Sequence, residues 1–159
     1  MIAGRLQFAN AHYSPLTRGL FTAALALSTL AGLAQEIKKS PVVRVLDPQA
    51  TRFFKPDPAR VRAMVGAGLK SVSSKKTAAA AWKTYVSPDD FIGLKVNAQS
   101  GAFSGTRLPV VAAVVEGLLR SGVPARRIVI WDRHRADLKR AGYVKLAKKY
   151  QVQLAGADD

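Results

Sequence analysis

The sequence contains no cysteine, which excludes disulfides, thiolate metal sites, iron–sulfur ligation and a cysteine nucleophile within this chain. Histidine is nearly absent too, with only His12 and His134. A zinc site built on several imidazoles therefore lacks ligands. Acidic residues are scarce, 10 against 25 Lys and Arg, for a net charge of +15. No G-x-S-x-G nucleophile elbow, G-x-G-x-x-G fingerprint or Walker Gly-Lys-Ser/Thr occurs. The longest apolar run, Gly19 to Ala34, carries no charge but is short of the roughly 20 residues a membrane span needs.

What is present fits one globular domain: 159 residues of which 48% are hydrophobic. Arg5 and Arg18 precede the apolar run, which closes on Gly32-Leu33-Ala34 before Gln35. That layout predicts a signal peptide over residues 1–34, cleaved after Ala34, and a periplasmic or secreted product. A buried helix and a membrane anchor are the alternatives. Residues 35–41 read as a polar linker and 42–159 as an α/β domain. Removing Arg5 and Arg18 with the leader leaves a charge of +13. Such a balance favours an acidic partner: an anionic small molecule, or an acidic polymer such as an envelope polysaccharide or nucleic acid. The basic pairs (Lys38-Lys39, Lys75-Lys76, Arg126-Arg127, Lys148-Lys149) are scattered, and no nucleic-acid motif accompanies them.

Along the domain, "VVRVLD" (42–47) is the first strand candidate. Asp57-Pro58 reads as a cap and first turn of a helix carrying Val61, Met64, Val65, Leu69 and Val72 on one stripe. "TAAAAWKTY" is a short second helix, "SPDD" a turn and "FIGLKVN" (91–97) the second strand. After a Gly/Ser loop, Thr106 is placed to cap a helix from Arg107 to about Ser121, ended by Gly122 and Pro124. "RIVIWD" is the third strand, 134–141 and Tyr143–Tyr150 are helical, and 152–158 is a fourth strand. The alternation predicts a three-layer, Rossmann-like α/β fold with a mainly parallel sheet and βαβ crossovers, incomplete at its C-terminus.

The strands end on Asp47, Asn97, Asp132 and Asp158, and parallel strands would gather these groups where open α/β sheets bind ligands. Asp and Asn also begin turns and cap helices, which is the plainer explanation. Lys95 lies two residues before Asn97, on the same strand face. In a central strand it would need a partner or a purpose; at an edge it is an ordinary protective charge. In an enzyme, Lys95 and Arg107 would hold an anionic group, Asn97 would orient it, and Asp132 would be the base. Gly101, Ser104 and Thr106, with the helix start at Arg107, could cradle an anion, or form a merely flexible turn. Asp47, Asn97 and Asp132 supply oxygen ligands suited to Mg or Ca. Arg133, His134 and Asp137 read chiefly as a solvated helix start, with Arg133 a candidate ligand contact.

The stretches "VSPDDFIGLKVNAQSG", "VVAAVVEGLLRSGVPARRIVIWDR" and "DLKRAGY" together resemble the bacterial family called domain of unknown function 362. The resemblance covers about Pro41 to Tyr143, with several motifs in the right order. It implies an exported α/β protein, often with a twin-arginine leader and in some relatives iron–sulfur modules, but no settled reaction. The family's Lys-Val-Asn falls on Lys95, Val96 and Asn97; its Trp-Asp-Arg falls on Trp131, Asp132 and Arg133; its Ala-Gly-Tyr/Phe falls on Ala141, Gly142 and Tyr143. Three departures stand out. Gly105-Thr106-Arg107-Leu108 replaces a Ser-Thr-His-Pro-like stretch, so arginine stands where the family has histidine. "LTRGLF" has one arginine, which favours the general secretory route. Family domains also continue well beyond the equivalent of Tyr143.

Overall fold

The structure, a computed structural model, describes residues 40–157. The expected leader 1–34, most of the linker and Asp158 lie outside the described residues. A three-stranded parallel sheet supplies the frame: β3 (Ile92–Lys95), β4 (Ile128–Asp132) and β5 (Gln153–Gly156), in that spatial order. β4 is central, with Lys95 beside Trp131 on one flank and Asp132 beside Gly156 on the other. Its Ile-Val-Ile run is what a strand covered by packing requires. Ile128, Ile130 and Asp132 are buried, whereas Val129 and Trp131 between them are half-buried.

Two crossovers join the strands. β3 runs into a single helical turn, α3 (Gly101–Ser104), and then α4 (Leu108–Arg120). β4 leads through α5 (Arg135–Arg140) and α6 (Tyr143–Tyr150) to β5. Both crossovers step in the same direction, so right-handed connections place them on one face. The core lies there: Val96, Val111, Val115, Leu118, Ile128, Ile130 and Leu138 pack around Tyr143. The opposite face presents Gly93 and Lys95, both exposed, beside Val129 and Trp131.

Before the sheet come a two-stranded hairpin, β1 (Thr51–Arg52) with β2 (Lys55–Pro56), and helices α1 (Pro58–Ser73) and α2 (Ala78–Trp82). Asp57 caps α1 as expected, its Oδ1 accepting from Ala59 N at 2.8 Å and Arg60 N at 3.1 Å. α1 packs chiefly on α4, and α2 packs on both. Of the expected α1 stripe Val61 is buried, but Val72, in the last turn, is exposed.

Several expectations are corrected. Residues 42–47 pair in neither sheet. The segment is extended, and its alternate residues Val43 and Val45 meet Val61, Met64 and Val65 around an apolar cavity. Helix α1 thus provides the apolar partner that a strand edge would have supplied. Thr106 is not the cap of α4; Arg107 occupies that position without a side-chain cap bond. The Thr106 hydroxyl instead accepts from Asn97 N at 2.9 Å. The Gly/Ser loop contains the turn α3, and β1–β2 forms where no strand was expected.

Trp82 and Gly117 lock α2 to α4: a β-carbon at position 117 would lie 2.1 Å from the indole Nε1. Gly117→Ala is therefore expected to lower stability by about 1–3 kcal/mol, as overpacking does. Urea unfolding followed by tryptophan fluorescence measures it, and an unchanged midpoint would mean that Trp82 swings aside at no cost.

Candidate functional site

The C-terminal end of β4 is organised by one carboxylate. Asp132 is 7% exposed. Its Oδ1 accepts from Lys95 Nζ at 2.6 Å and from Arg133 N at 2.8 Å, and its Oδ2 accepts from Ala98 N at 2.6 Å. Register places Lys95 beside Trp131, on the face opposite Asp132. The lysine therefore curls over the strand ends, also donating to Val96 O at 2.7 Å, with its ammonium 5.6 Å from the Trp131 ring centroid. Lys95 belongs to an edge strand and is half-exposed, yet it has a specific partner.

Burial by itself would raise the Asp132 carboxyl. The hydrogen bonds from Lys95, Ala98 and Arg133, together with the charge of Lys95, outweigh it and hold the group at about 2. Burial and the Asp132 charge in turn push Tyr143 up to about 12. Tyr143 thus stays protonated and donates to Thr106 O at 2.6 Å.

The loop after β3 closes on itself. Asn97 N donates to the Thr106 hydroxyl, and Thr106 N returns a bond to Asn97 O at 2.9 Å. Gly105 is needed because a side chain there would sit 2.3 Å from Asn97 O. Gly105 N donates to Gly101 O, Gly101 N to Ala98 O, and Ala98 N to Asp132. One N–H of this loop, that of Ala98, is taken by the protein's own carboxylate, Asp132. The Asn97 side chain reaches Ser100 Oγ at 3.5 Å. Ser104 is exposed on α3. Arg107 spends its guanidinium on two carbonyls, Phe103 O and Phe54 O, both at 2.7 Å.

Of the expected strand-end residues, Lys95, Asp132 and the Asn97 backbone come together with Thr106. Asp47 is engaged elsewhere: its carboxylate takes Arg60 at 2.9 Å and Gln49 N at 2.9 Å, and Arg60 holds its carboxyl below the usual range. Among the described residues no group of three or more His, Cys, Asp and Glu could hold a metal ion. Arg133 and His134 are exposed, in keeping with a solvated helix start. Asp137 is not; it is buried and paired with Arg140 rather than with Arg133 or Lys139.

A second concavity was not anticipated. Helices α1, α4 and α6 line an open concavity of about 550 Å³, with Leu108, Pro109, Ala112, Ala113 and Leu146 among its apolar residues. The cavity borders the same loop through Ala102 and Leu108. Lys145 and Lys149, one helical turn apart on α6, stand at its rim. Neither lysine has a carboxylate partner among the described residues; Lys149 lies against Tyr150, its ammonium 4.9 Å from the ring centroid. Glu116 on the wall is held below its ordinary range: burial opposes this, but the Tyr150 hydroxyl, Arg62 and Arg120 outweigh it. The lysine spacing is visible in the sequence, but only packing against α4 turns it into a rim.

No protein-family model, curated protein or solved structure matches this chain.

Asp132→Ala is expected to cost about 2–4 kcal/mol, below the figure for a fully buried pair because Lys95 is half-exposed. The folded-state carboxyl lies below its unfolded value, so its stabilisation is present above about pH 4 and is lost as pH falls towards 2. Unfolding free energy measured from pH 6 to 2 should therefore fall less steeply in the variant than in the native protein. Parallel curves would assign no acid-labile stability to Asp132.

Proposed function

We propose that this chain is a binding module for a small molecule that joins an anionic group to an apolar body. The observation that carries this reading is the cavity between α1, α4 and α6: an apolar floor under two lysines that lack carboxylate partners among the described residues. About 550 Å³ lies within the range of small-molecule sites. Glu116 does not cancel the rim, because Arg62 and Arg120 already neutralise it.

A general-base role for Asp132 has weaker support. A carboxylate held at about 2 and engaged by three donors is a poor proton acceptor near neutrality. The Lys95–Asp132 pair would act as scaffold, holding the loop that carries Ala102 and Leu108 at the cavity's edge.

We also propose kinship with the domain-of-unknown-function-362 family, on the residues Lys95-Val96-Asn97 and Trp131-Asp132-Arg133. Export to the periplasm or beyond is likewise proposed, on residues 1–34. A Rossmann-like third layer would have to cover the face bearing Gly93, Lys95 and Trp131.

Calorimetric titration with 1-naphthoate, against uncharged 1-naphthalenemethanol, tests the reading. Naphthoate should bind more tightly, and Lys145→Ala with Lys149→Ala should weaken it by roughly tenfold, the sum of two modest ion pairs. Equal affinity for acid and alcohol would overturn it. Polyanion binding that survives both substitutions and collapses with salt would favour the acidic-polymer alternative.

A further inference from the structure

The β1–β2 hairpin turns through two residues, Phe53 and Phe54, since Arg52 pairs with Lys55. Both have left-handed backbones, φ 48° and 62°. That is the φ signature of a type I′ turn, which strongly favours Asn-Gly because a side chain crowds its own carbonyl there. Phenylalanine is among the least suited residues. Nor does burial compensate, because Phe53 is 89% and Phe54 81% exposed. Two strained, solvated aromatic rings at a turn are costly to folding, and such outliers mark functional positions.

The turn is also fastened in place. Arg107 donates to Phe54 O and to Phe103 O, so one guanidinium gathers the hairpin tip and α3. Phe103 is itself 77% exposed. Arg52 and Lys55 flank the tip, both exposed. The nearby carboxylates are committed: Asp47 to Arg60, and Asp57 to the first turn of α1.

We propose that Phe53, Phe54 and Phe103 form an aromatic tip that inserts into the interface of an anionic lipid bilayer, with Arg52 and Lys55 against the headgroups. Exposed aromatic rings flanked by cations match the chemistry of a deformable, negatively charged interface. A second copy fits less well, since docking two tips would bring four like charges together.

The test uses the full chain and vesicles of phosphatidylglycerol with phosphatidylcholine. Phe53→Asn combined with Phe54→Gly suits the turn better than the native pair, so the variant should be at least as stable as the native protein. It should nevertheless bind anionic vesicles roughly tenfold more weakly, having lost the interfacial anchors. Separately, the Phe53→Trp variant should show fluorescence quenched by brominated acyl chains in these vesicles and not in pure phosphatidylcholine. Its difference from the native chain, whose tryptophans are Trp82 and Trp131, reports this position alone, whatever residues 19–34 do at a membrane. Native-like vesicle binding by the Asn-Gly variant would overturn the proposal, as would the absence of added quenching in bound Phe53→Trp protein. So would sedimentation showing that the native chain dimerises without lipid while the Asn-Gly variant is a monomer, which would assign the tip to a second copy.

Discussion

The carboxylate of Asp132 joins the end of its own strand to a segment 34 to 37 residues upstream. It takes Lys95 from the neighbouring strand, Ala98 N from the following loop and Arg133 N from its own. Without it, the loop from 97 to 107 would lose the anchor of its first turn, leaving the paired bonds between Asn97 and Thr106 and the Tyr143 hydroxyl to hold it. Lys95 would keep only the Val96 carbonyl and the Trp131 ring. The buried anion is tolerable because Lys95, Ala98 N and Arg133 N all donate to it.

The same arrangement shapes what the sheet end can do. Donors that might have received a ligand's anion are already satisfied internally, and the carboxylate is held too acidic to accept protons at neutral pH. The binding capacity we propose lies instead at Lys145 and Lys149, which lack carboxylate partners among the described residues and stand over an apolar floor. Arg107 follows the former pattern: its charge serves two backbone carbonyls and so stiffens the corner that displays Phe54 and Phe103.

Local chemistry made much of the frame legible. Asp57-Pro58 states its cap, Gly122 and Gly142 take left-handed backbones at helix ends, and Tyr143–Tyr150 matches the expected helix. The runs at 91–97 and 127–132 do contain β3 and β4. The hairpin escaped because Phe53-Phe54 carries none of the Gly, Asn or Asp signals by which turns are read. The alternation at 42–47 was real, but whether an extended segment finds a strand or a helix is not written in it.

Periodicity, caps and composition act over a few residues or none, so the α/β alternation, the strongly basic charge and the lack of cysteine could be read along the chain. Which charges meet could not, because that depends on contacts between distant segments. Lys95 and Asp132 are 37 residues apart and sit on opposite sheet faces. Their pairing depends on parallel register and on a lysine long enough to curl over a strand end. The cavity under Lys145 and the fastening of Phe54 by Arg107 likewise required three helices and a hairpin to come together, and contacts made across that distance leave no period in the chain.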